Sequence, residues 1–432
     1  MTTRITALFA LALLLLAPAA RAELRIEITQ GVSEAVPIAV VPFGYGGDGR
    51  PPLDIAAVVD SDLASSGRFA PMDRRDMVTR PTRPDEVRLE DWRLLKTDIV
   101  VIGEVRPADD GRYDIEFHVF DVFRGEPLMG FSLRAAAGNL RGAGHRIADM
   151  IFERLTGVPG VFSTRIAYVT VDQVDGRNRY RLWLADADGA RQTAIAESPE
   201  PIMSPAWAPD GKRIAYVSFE SGVSRVFVQE VATGRREVVS GRPGINSAPA
   251  WSPDGRRLAL VLGGVDGNLD IHVVELGSGQ VRRLTRHPAI DTEPAWAPDG
   301  RSLYFTSDRA GGPQVYRVGL DGDAPRRVTF EGSYNARPRV SPDGEQLAVV
   351  HNDRGNFRIA VFDLRRGGVR VLSDGRQDES PSFAPNGSMI IYATREGARG
   401  VLAATSTDGR VRQRIATTEG DVREPVWSPY PQ

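Results

Sequence analysis

The stretches of this chain that could carry chemistry are few, and each is incomplete. Gly44, Gly46 and Gly49 fall in a G-x-G-x-x-G pattern, after a strand-like run and before a helix-like one. That arrangement cradles a dinucleotide pyrophosphate. Pro51 and Pro52 follow at once, so the third glycine cannot lie in the first helical turn, and no series of βαβ units continues. A surface loop is the expectation. Asp172 with Asp175, and Asp186 with Asp188, resemble pieces of calcium loops, but neither has the remaining ligands or a glutamate at the twelfth position. Hairpin turns account for both. The five histidines (His118, His145, His272, His287 and His351) form no pair at zinc-binding spacing. Gly-x-Ser-x-Gly is absent. No catalytic, cofactor or metal residue is assigned.

The dominant feature is instead a repeat. Ser204–Gly211 reads Ser-Pro-Ala-Trp-Ala-Pro-Asp-Gly, and it returns as Ala248–Gly255, Glu293–Gly300, Arg337–Gly344 and Ser380–Gly387. A sixth copy, Glu424–Pro429, lies near the C-terminus. Trp207, Trp251, Trp296, Val340, Phe383 and Trp427 mark its apolar position, at a spacing of about 44 residues. Three short strand-like runs follow each turn, as in Arg213–Val217, Arg225–Val231 and Arg235–Val239. Four strands at this period predict a propeller blade. The first unit begins at Arg165–Val169 with no motif before it, and the last motif has no strands after it. Ring closure needs that offset: the last strand completes the first blade and removes two sheet edges. Six blades are predicted over 161–432, and the motif itself is their frame.

Before the propeller, 34–160 reads as a mixed α/β domain. Strands are expected at Pro37–Phe43, Asp98–Val105, Tyr113–Val122 and Pro127–Leu133, and helices at Leu53–Ser66, Glu86–Leu95 and Leu140–Leu155. Residues 1–22 read as a secretory signal: Arg4, an apolar run Ile5–Ala17, and the small-x-small site ending at Ala22. The run is too short to span a bilayer comfortably. No cysteine follows the site or occurs anywhere, which excludes a lipoprotein anchor and disulfides. A soluble periplasmic protein cleaved after Ala22 is expected, with no direct membrane insertion. A formal net charge of -2 gives no electrostatic case for nucleic acid. At the new N-terminus Leu24, Ile26 and Ile28 alternate with Glu23, Arg25, Glu27 and Thr29. That is a strand, either an edge of its own domain or one offered to a partner.

Taken together, these residues resemble the TolB family, the periplasmic component of the Tol-Pal system. The specific stretches are Glu23–Ile28 with Gly31 and Val32, Pro37–Phe43, Leu155–Gly157 with Thr164–Tyr168, Thr306–Gly311 with Pro313–Tyr316, and Trp427–Tyr430. The resemblance covers the whole mature chain. It implies a non-enzymatic adaptor without cofactors that binds the Pal lipoprotein at one face of the propeller and the periplasmic domain of TolA through the mature N-terminal segment. It further implies roles in outer-membrane integrity and constriction at division, and exploitation by colicins. Carried onto this chain, the releasable TolA segment is 23–33, with contacts from Glu23, Leu24, Arg25, Ile26, Glu27, Ile28 and Thr29. The Pal surface falls on the loops that precede each motif copy: Ile245, Asn246, Ala248, Asp291, Thr292, Glu293, Asn335, Arg337, Glu379 and Glu424. The rival class is a propeller enzyme, a lyase or hydrolase acting on periplasmic glycans or peptides at the channel mouth. An ion in the channel is a third reading that no residue specifies.

Overall fold

The computed structural model describes residues 28–30, 35–264, 267–417 and 420–431. The expected signal, the tail positions Glu23 to Glu27 and positions 31–34 lie outside them. Among the described residues no helix is long and apolar enough to cross a membrane.

The first domain is built on a twice-covered sheet. Val36–Val40 lies parallel to both Phe69–Pro71 and Ile99–Pro107. Ile99–Pro107 then pairs antiparallel with Arg112–Asp121, which pairs with Glu126–Ala136. The parallel strands are apolar on both faces, as burial on both sides requires. Ile38, Val40 and Val101 pack beneath the helices Ile55–Ser65 and Leu140–Thr156. Ala39, Val41, Val100 and Ile102 pack on the other side with Trp92. The helix Ile55–Ser65 starts late because Asp54 caps it, accepting the Ala57 N–H at 2.9 Å. The glycine-rich loop therefore ends before the capped helix start, as Pro51 and Pro52 predicted. The expected helix Glu86–Leu95 is divided. Glu86 closes a single 3-10 turn, Pro84–Glu86, by reaching back to the N–H of Thr82 at 2.9 Å, and the helix restarts as Leu89–Leu94 to bury Trp92.

The second domain is a ring of six blades. Its inner strands are Ile202–Trp207, Asn246–Trp251, Asp291–Trp296, Asn335–Val340, Glu379–Phe383 and Asp421–Trp427. Asp421–Trp427 joins Arg165–Val174, Arg177–Asp186 and Thr193–Ser198, so blade 1 combines both ends of the ring. The turns after the inner strands interlock. A Cβ placed on Gly211, Gly255, Gly300, Gly344 or Gly387 would lie 3.2–3.7 Å from Pro429, Pro209, Pro253, Pro298 or Pro342 of the preceding blade. Each of these glycines has positive φ, so the turn needs glycine for its backbone as well as for space. Pro429 fills the place in blade 1 that the other prolines fill elsewhere, and the frame closes without a gap in the series.

A buried ion network joins the domains. His145 on Leu140–Thr156 holds Asp62 at 2.7 Å through Nδ1, and its Nε2 lies 3.6 Å from Asp186 and 3.9 Å from Asp188 of blade 1. Arg141 pairs with Asp188, and Arg191 holds Asp186 at 2.7 Å. The oxygen and nitrogen atoms of Asp62, His145 and Asp188 are close enough to hold a metal ion. Two guanidinium groups already answer two of the three carboxylates, and a protonated imidazole balances the third. The aspartates that resembled a calcium loop thus serve as the domain junction. Burial alone would lower the His145 pKa, but its carboxylate partners Asp186 and Asp62 and the charge of Asp188 raise it to about 10. A raised folded-state pKa means the stabilisation is complete below the unfolded value near 6.5 and is lost as pH rises toward 10. Thermal melts are expected to show stability falling across that window, by at most about 1.4 kcal/mol per pH unit from this site. His145→Asn should flatten the dependence. An unchanged slope in the variant would remove His145 as its source.

Candidate functional site

Each inner strand carries the same local distortion. Ser204, Ala248, Glu293, Arg337, Ser380 and Glu424, the residues before the motif proline, all take φ between 47° and 56°. The ladder to the next strand shifts register at each of them. A left-handed non-glycine residue costs about 1 kcal/mol or more. Here it is held by ladder pairs before and after it along the strand, and it forms a β-bulge. The six side chains converge on one cavity of ≈ 50 Å³, which marks the ring axis. At this waist Arg337 holds Glu293 at 2.8 Å and reaches Glu424 at 3.4 Å, and it also bonds Ser380. Burial would lower the Arg337 pKa, but the charges of Glu424, Glu293 and Glu379 raise it. One guanidinium thus bridges the two waist carboxylates, whereas a glycosidase pair needs one carboxyl free to hold a proton.

Above the waist the channel opens into a polar mouth of ≈ 560 Å³, lined among others by Glu293, Arg337, Glu379, Asp421 and Glu424. The positions three residues before each waist residue form its crown: Pro201, Ile245, Ile290, Tyr334, Gln377 and Asp421. Blades 3 to 5 give the crown an apolar arc. Ile245 is 43% exposed, Ile290 47%, and nearby Phe330 71%. Tyr334 stacks edge-on against Phe357 with centroids 5.1 Å apart. Blades 6 and 1 give it a polar arc with Gln377, Arg395, Asp421 and Arg423.

The predicted Pal-face residues divide into three groups. Ile245 lies exposed on the crown, and Thr292 and Glu379 are half-buried beside it. Ala248, Glu293, Arg337 and Glu424 line the waist. Asn246, Asp291 and Asn335 are fully buried, which corrects the expectation that they present themselves to a partner. They staple the loops from beneath. Asn246 accepts Ser240 Oγ at 2.6 Å and donates to the Arg242 carbonyl at 2.7 Å. Asp291 takes both oxygens to Arg309 at 2.8 Å, and Asn335 donates to the Glu331 carbonyl at 2.8 Å. The two asparagines satisfy loop backbone that no strand pairs, whereas Asp291 anchors the side chain of Arg309. Sequence reading included Ile290 only as part of the loop 289–293 without singling it out, and it missed Phe330. The signal for Ile290 was its repeat position, one residue before a buried Asp.

The N-terminal segment enters as the strand Ile28–Gln30, antiparallel to the outer strand Arg412–Ile415 of blade 6, with Ile28 opposite Gln413 and Gln30 opposite Arg412. It makes that blade five-stranded. Gln413, Arg414 and Ile415 also line a cavity of ≈ 220 Å³ between the domains, with Phe152, Phe162 and Trp427.

The comparisons agree with this architecture. The family described as TolB amino-terminal domain matches residues 24–128, and the TolB beta propeller domain matches 152–431. A protein of Xanthomonas euvesicatoria pv. vesicatoria named Tol-Pal system protein TolB is 51% identical over 429 residues, covering 99% of this chain and 98% of the relative. One of the same name from Xanthomonas oryzae pv. oryzae is 50% identical, covering 98% of each. Among solved structures, TolB from Acinetobacter baumannii is 40% identical, with a TM-score of 0.87 over 94% of this chain and 100% of that one. Both domains, the six-bladed ring and near-full-length identity place this chain in the TolB family.

Proposed function

We propose that this chain is a non-catalytic periplasmic adaptor of the Tol-Pal system, exported with removal of residues 1–22. Pal docks on the crown of the propeller, and TolA takes the N-terminal segment 23–33. Through these contacts the chain supports outer-membrane integrity and constriction at division, and colicins would compete for the same surfaces. The observation that carries the reading is the crown itself: one end of the ring gathers equivalent loop positions into an apolar arc facing a polar arc around a channel mouth. A partially apolar, rigidly stapled surface suits a protein partner, in which a few anchors dominate the energy. The two surfaces use different physics, since the N-terminal segment offers main-chain pairing and the crown offers side chains.

The crown is tested by Ile245→Arg combined with Ile290→Arg. Both side chains are exposed, so folding should be unaffected. Affinity for Pal, measured by calorimetry, is expected to fall about 30-fold or more, the scale of losing one strong anchor. Unchanged affinity would remove the apolar arc from the site.

A further inference from the structure

The seams at Trp251 and Trp296 share one arrangement, and the seam at Trp207 departs from it. Trp251 donates its indole N–H to the Ala206 carbonyl of the preceding blade at 3.1 Å, and Trp296 donates to the Ala250 carbonyl at 3.0 Å. Each ring also carries a guanidinium from that blade: Arg213 lies 4.7 Å from Trp251 and Arg257 4.8 Å from Trp296. Trp207 holds the same place between blades 1 and 2 and is as buried, at 8% exposed. Its Nε1 has no hydrogen-bond partner. Arg165, the counterpart of Arg213 and Arg257, is exposed, and among the described residues its guanidinium makes no ion pair or ring contact.

The sixth motif copy supplies the reason. Where the other inner strands run into Pro-Asp-Gly or Pro-Asn-Gly, blade 1 has Pro429, Tyr430 and Pro431. In place of a tight turn there is a cleft of ≈ 640 Å³, lined by Arg165, Trp207, Lys212, Val231, Pro429 and Pro431 among others. It opens at the turn end of the ring, opposite the crown. The carboxylates lining it are already answered, Asp210 by Arg213 at 2.9 Å and Glu230 by Arg235 at 2.6 Å. Arg165 and Lys212 are left as exposed cations without ion pairs among the described residues.

We propose that this cleft is a second docking site, which takes an extended, acidic, proline-bearing segment of another protein. The indoles of Trp251 and Trp296 are satisfied by main-chain carbonyls and that of Trp427 by the Thr164 hydroxyl, so Trp207 lacks an acceptor, which a carbonyl of the docked segment supplies. Prolines of an extended chain pack on aromatic and proline-lined grooves with little entropy to lose. Carboxylates of the segment meet Arg165 and Lys212, which lack counter-ions of their own.

The test is fluorescence anisotropy of the full mature chain with a fluorescein-labelled peptide of alternating Glu and Pro, against one of alternating Lys and Pro. The acidic peptide is expected to bind and the basic one not to. Arg165→Glu with Lys212→Glu should weaken the acidic peptide at least about tenfold, and Trp207→Phe, which keeps the ring and removes the donor, about fivefold. Equal binding of the two peptides, or full binding by the doubly charge-reversed variant, would overturn the proposal. The substituted charges are exposed, so that variant tests the site without depending on the core. Its affinity for Pal should stay unchanged, which separates failure here from failure of the crown.

Discussion

Removing residues 23–33 is expected to abolish TolA binding while leaving Pal binding measurable by calorimetry. The strand Ile28–Gln30 sits at the outermost edge of blade 6, beyond a blade that is already four-stranded. An edge strand of this length is held by few main-chain bonds, and it belongs to the part of a fold that opens most easily. Such a strand exchanges one sheet edge for another at little net cost, which is how strand addition to a partner works. The melting temperature should therefore change little on deletion, since no inner ladder of the ring is touched. Loss of both partners in a protein shown to be folded would sink the two-surface reading. Full TolA binding would move that site elsewhere.

Trp427→Ala is expected to give the largest loss of stability of any single substitution in the ring. Trp427 closes blade 1 on the last strand, is 7% exposed, and donates its indole N–H to Thr164 Oγ1 at 2.7 Å. It packs in one cluster with Ile166 and Tyr168 of blade 1, Met389 and Ile391 of blade 6, and Val161 of the domain connector. Truncation leaves a cavity at the point where the ends of the ring meet and the first domain docks. Trp→Ala in a core costs about 3–5 kcal/mol. For a domain of this size the melting temperature should drop on the order of 10 °C by calorimetry. A change under about 1 kcal/mol would mean that closure does not depend on this side chain.

Most of the architecture was legible because it repeats. A motif every 44 residues or so, offset by one strand at the two ends, leaves closure into six blades as the arrangement that hides its edges. The helix Leu140–Thr156 was legible from its periodic apolar face and the αL glycine at Gly157. The divided helix at Glu86 was overlooked although its signal is local, since Pro84 starts a separate turn and Glu86 reaches back only four residues to Thr82.

The candidate site was legible as a region but not as a list of atoms. Asn246, Asp291 and Asn335 read as loop residues available to a partner, whereas the folded ring turns them inward to hold the loops. Arg337 read as one loop residue among several, yet it is the bridge across the channel waist, because closure brings Glu293 from the preceding blade and Glu424 from two blades further round to one guanidinium. The sequence by itself determined the ring and its closure, since those follow from period and turn chemistry. Only the tertiary structure decided which side chains face solvent, the channel or the other domain. It also revealed the seam at Trp207. Those outcomes depend on the convergence of strands far apart in the chain, which no local pattern encodes.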